Sequence, residues 1–90
     1  MKIEVYRTRF SDEIRFVGPD MGPGEIGGAI CAERYPYVAL SISGLTRTGI
    51  MEGGAEFWHD AERVTGHHLA EAYAAAGGKA AVEKMIRNIS

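Results

Sequence analysis

Ninety residues, 46% apolar and 24% charged, are enough for one folded domain spanning 1–90 but not for two, and the composition is not that of a disordered chain. A formal charge of −2 excludes a protein whose main work is coating nucleic acid, and equally a strongly acidic nucleic-acid mimic. The lone Cys31 excludes an intramolecular disulfide and a Cys-rich metal site.

Residues 2–10 alternate in polarity, and Ile14-Arg15-Phe16-Val17 does the same after Ser11-Asp12-Glu13, which reads as a β-hairpin. With those three residues as the loop, Phe10 faces Ile14, Arg9 faces Arg15, Thr8 faces Phe16 and Arg7 faces Val17. One face then gathers Tyr6, Thr8, Phe10, Ile14 and Phe16. The other carries Arg7, Arg9 and Arg15 beside Val5 and Val17.

Residues 18–28 hold five glycines and two prolines and are expected to be a loop. Within it, Gly22-Pro-Gly-Glu-Ile-Gly27 fits the dinucleotide pattern G-x-G-x-x-G. The long helix, second parallel strand and acid about 20 residues on that this chemistry needs are missing, so the match is treated as accidental. Residues 29–35 fit either a short helix or the start of a strand, and strand is preferred. From Tyr37 to Ser43 the alternation predicts a third strand with Val38, Leu40 and Ile42 on its buried side.

Gly44 to Gly54 reads as a second loop. Its hydroxyls, Arg47 and glycines precede an expected helix at Ala55, a setting that suits an anion, although solvated amides explain it as well. The helix is expected from the spacing of Phe57, Trp58, Ala61, Val64, Leu69, Ala72 and Tyr73, with Gly66 costing about 1 kcal/mol inside it. Gly77-Gly78 ends it, and Lys79 to Ile89 forms a last helix with Ala81, Val82, Met85, Ile86 and Ile89 inward.

The expected fold is therefore α+β: a small antiparallel sheet, made of the N-terminal hairpin and a third strand near 37–43, covered on one face by C-terminal helices. The opposite face is expected to be open. His59 with Glu62, and His67 or His68 with Glu71, have helical spacing but too few converging ligands for zinc, and His68 falls on the apolar stripe. Cys31 has no base beside it in sequence, and no serine sits in a nucleophile elbow. No catalytic residue, metal or cofactor is assigned.

What remains is the arginine face. Arg7, Arg9 and Arg15, with Arg47 on the loop, would attract phosphates or a carboxylate-rich surface, and a solvated strand face explains them too. The expected function is a non-enzymatic binding or regulatory protein docking on a larger protein or nucleoprotein partner, in the manner of adaptors, antitoxins or phage and mobile-element inhibitors. A nucleic-acid-binding accessory protein using the hairpin arginines is the alternative, and a small anion-binding or His-assisted enzyme comes third. Homodimerisation is an allowed supplement to a small core. The arginine, alanine and glycine content suits a GC-rich bacterial or phage genome. The polar start and the lack of any long apolar run suit the cytoplasm and no membrane.

Overall fold

A computed structural model describes residues 1–7, 13–19, 34–52 and 61–89, with the backbone alone at Arg34 and residues 46–52. Among the described residues five strands precede two helices: β1 (Glu4–Arg7), β2 (Ile14–Val17), β3 (Arg34–Ser41), β4 (Gly44–Glu52), β5 (Glu62–Arg63), α1 (Gly66–Ala75) and α2 (Lys79–Ile89). The sheet is antiparallel throughout, in the order β4-β3-β2-β1-β5. The α+β architecture expected from the sequence is the one observed, and no described helix is long and apolar enough to cross a membrane.

The two C-terminal helices follow the sequence closely. In α2 the i, i+4 pair Val82 and Ile86 is fully buried, with Met85 and Ile89 packed against the same cluster, while Lys84, Arg87 and Asn88 face water. Gly77 and Gly78 end α1 with φ of 91° and 103°, and the Gly78 N–H donates to the Tyr73 carbonyl at 2.8 Å, closing the last turn. Leu69, Ala72 and Tyr73 from α1, with Ala76 just after it, meet Val5, Phe16, Val38 and Leu40 from the sheet. The Phe16 and Tyr73 rings lie 5.2 Å apart.

The N-terminal hairpin forms, but in another register. Arg7 opposes Ile14, Tyr6 opposes Arg15, Val5 opposes Phe16 and Glu4 opposes Val17, so residues 8–13 connect the strands in place of a three-residue loop. The offset from the expected pairing is odd, and an odd offset reverses which β1 side chains join which β2 side chains. Val5 therefore replaces Tyr6 beside Phe16 on the helix side, and Tyr6 moves across the sheet to join Arg15 and Val17. That opposite face is not bare: Glu4, Tyr6, Val17 and Ala39 are all buried.

Three further expectations are corrected. The third strand starts earlier, at Arg34, and ends at Ser41, so Ile42 leaves the aliphatic row and sits in a turn. Most of the stretch from Gly44 to Gly54 is strand: β4 pairs with β3 from Ser41↔Gly44 to Arg34↔Glu52, which satisfies its backbone groups far better than a loop would. One bulge interrupts this ladder, because Tyr37 opposes Gly49 while Val38 opposes Arg47, leaving Thr48 without an opposite residue. Finally, residues 62–65 are extended, not helical. Glu62 and Arg63 pair with Arg7 and Tyr6, and the Val64 N–H donates to the Val5 carbonyl at 2.8 Å. Val64 reaches the core from this extended segment, so its apolar character served the sheet edge and not the helix stripe. The expected helical residues Phe57 and Trp58 lie outside the described residues, as does the 18–28 loop beyond Pro19.

Candidate functional site

The β3–β4 connection is the tightest described turn. Ile42 and Ser43 span the pair Ser41↔Gly44, the two serine hydroxyls are hydrogen-bonded at 2.8 Å, and Gly44 supplies a φ of 114° that a residue with a Cβ adopts only under strain. Turn positions of this kind ordinarily hold Gly, Asn or Asp. Here one of them is Ile42, and its relative exposure is 95%. The fold makes no use of this side chain.

Ile42 also does not stand alone. It forms one wall of an open groove of about 530 Å³, lined by Ile14, Leu40, Ser41, Gly44 and Ala75. The floor comes from neighbouring strands, since Ile14 opposes Leu40 across β2 and β3, and the far wall is the last residue of α1. No described lining residue is charged. An uncharged cleft with a projecting aliphatic side chain accepts apolar groups.

Of the predicted arginines, Arg7 and Arg15 are the two whose side chains are described, and these two are not brought together. Arg7 and Arg15 lie on opposite faces of the sheet, because each opposes a residue from a different side of the same hairpin. Arg7 pairs with Glu62 at 3.4 Å at the exposed sheet edge. Arg15 bonds to Glu13 at 2.6 Å with its side chain only 16% exposed, and its guanidinium rests 4.7 Å from the centroid of the Tyr37 ring. Arg47 sits in β4 opposite Val38, and Arg9 lies outside the described residues.

A second ionic feature closes the other sheet edge. Glu4 is 2% exposed, and its carboxylate is held by Arg63 of β5. No described group donates a well-formed hydrogen bond to either Glu4 oxygen, so charge compensation by Arg63 carries the pairing. Behind it, the Tyr73 hydroxyl is pushed above the ordinary tyrosine pKa by burial first, then by the Glu83 and Glu4 carboxylates.

His67 and His68 are both exposed, with ring centroids 4.0 Å apart, and His68 Nδ1 lies 3.8 Å from Glu71. His68 is thus not the core-edge residue its place on the stripe predicted. Among the described residues no three His, Cys, Asp or Glu side chains converge on a point where a metal ion could sit. Cys31, His59 and the Gly22–Gly27 stretch lie outside the described residues.

Sequence reasoning missed Ile42 as a surface feature because strand alternation placed it with Val38 and Leu40. The signal that could have found it is Ser43-Gly44, a turn dipeptide directly after it. No protein-family model, curated protein or solved structure matches the chain, so the reading of this site rests on its own residues.

Proposed function

We propose that the protein is a non-enzymatic binding protein that docks on a larger protein partner through the tip of the β3–β4 hairpin. The observation that supports this reading is Ile42, 95% exposed on a two-residue turn and continuous with the groove of Ile14, Leu40 and Ala75. A projecting aliphatic residue beside an apolar cleft gains about 1.5–3 kcal/mol when a partner covers it, and a tight turn presents it with little ordering cost. The alternative, nucleic-acid binding by the hairpin arginines, draws less support: Arg7 and Arg15 lie on opposite faces and each already faces a carboxylate.

The test is parallel affinity capture from host-cell extract with the wild-type chain and with Ile42→Asp, each treated with nuclease. A protein retained by the wild type after nuclease and lost from the variant is the expected result. Retention of the same proteins by both baits would overturn the docking role of the turn, and retention abolished by nuclease would favour the nucleic-acid reading.

A further inference from the structure

We propose that His68 and Glu71 form half of a zinc site, completed by the same two residues of a second copy of this chain about a two-fold axis through the metal. The inference is independent of the hairpin-tip reading. His68 and Glu71 stand about one turn apart on α1, and His68 Nδ1 lies 3.8 Å from Glu71 Oε2. Two donors on a tetrahedral zinc ion, each bonded at about 2.0–2.1 Å, are about 3.3 Å apart, so the pair is within about half an ångström of chelating spacing. That difference is small for a carboxylate whose side chain is 72% exposed. The His67 ring packs on the His68 ring, centroids 4.0 Å apart, which restricts the imidazole while its Nδ1 is turned toward the carboxylate.

One chain supplies only half of what the ion requires. A closed zinc site takes four donors, and among the described residues no third His, Cys, Asp or Glu converges on this pair. Two copies related by a two-fold axis bring two imidazoles and two carboxylates, a set whose two negative charges offset those of the ion. Without a cation the same approach sets two Glu71 carboxylates against each other, so association depends on the metal. The His68 and Glu71 side chains are 50% and 72% exposed, and α1 contains no lysine or arginine to compete for Glu71. The next turn carries Ala74 and Ala75, both exposed, so the helix itself presents nothing bulky beside the site. Imidazole with carboxylate suits zinc, whereas magnesium takes oxygen donors and keeps its water.

The experiment is sedimentation of the full chain, stripped of metal by a chelator and then titrated with zinc chloride, as wild type, His68→Gln and Glu71→Gln. The wild type is expected to be monomeric in chelator and dimeric with zinc, saturating at one ion per two chains, while magnesium leaves it monomeric. Each variant removes two of the four donors and should raise the zinc concentration needed for dimerisation by about tenfold or more. Both substitutions place a good helix former at an exposed position, so circular dichroism should match the wild type. Should either spectrum differ, the zinc stoichiometry and mass of the wild type decide alone. A wild type whose mass does not respond to zinc, one zinc bound per chain without association, a dimer that persists in chelator, or well-folded variants that dimerise at the wild-type zinc concentration would each overturn the proposal.

Discussion

At the scale of single residues, Glu4 and Arg63 contrast with Arg7 and Glu62. Both pairs tie β5 to β1, yet the first holds a carboxylate that is 1% exposed and the second joins side chains 45% and 65% exposed. Water screens the exposed pair, so Glu62→Ala should change stability by no more than about 1 kcal/mol. Arg63→Ala leaves the Glu4 carboxylate buried without its counter-charge and should cost about 1–3 kcal/mol. Chemical denaturation of the two variants checks the order, and equal costs would mean that Glu4 gains nothing from its partner. The ionic role of Glu4 was not legible in the sequence. Its place at the start of an alternating segment marks a strand, but only the arrival of β5 shows which cation compensates it.

Among the elements, the β3–β4 hairpin depends on its turn more than on its propensities. Gly44 carries φ 114° with nothing within 4 Å of the position a Cβ would take, so Gly44→Ala meets no clash and its whole cost is backbone strain. That cost is about 1–2 kcal/mol, read as a lower denaturation midpoint with an unchanged denaturant slope. A cost near zero would show that the turn relaxes to another type. The stretch from Gly44 was expected to be a loop because its glycines and threonines give no two-residue alternation. It becomes a strand because β3 lies beside it in a hairpin and pairs its backbone from Gly44 to Glu52. The same priority of pairing over pattern applies at Val64. Its helical spacing with Ala61 was real, but the hydrogen bond to Val5 holds the segment extended.

For the whole molecule, the meeting of the helix layer with the sheet sets the response to alkali. Tyr73 packs on Phe16, and its raised pKa means that the folded state keeps the phenol proton longer than the unfolded chain does. Its contribution is complete below the ordinary tyrosine pKa of about 10 and fades as pH rises from there through the raised folded value. Tyr73→Phe should therefore flatten the fall in melting temperature above about pH 10 while leaving neutral-pH behaviour to packing alone. An unaltered alkaline slope in the variant would assign that fall to other groups. The sequence by itself determined the class of the fold, the helix at Lys79–Ile89, the stop at Gly77-Gly78 and the inward residues Val82 and Ile86, because these follow from local periodicity and glycine chemistry. Only the tertiary structure decided the hairpin register, the side of the sheet taken by Tyr6, the strand β5 and the exposure of Ile42. Each of these depends on which distant backbone pairs with which, and a shift of register by an odd number of residues leaves the sequence pattern intact while exchanging the two faces of the sheet.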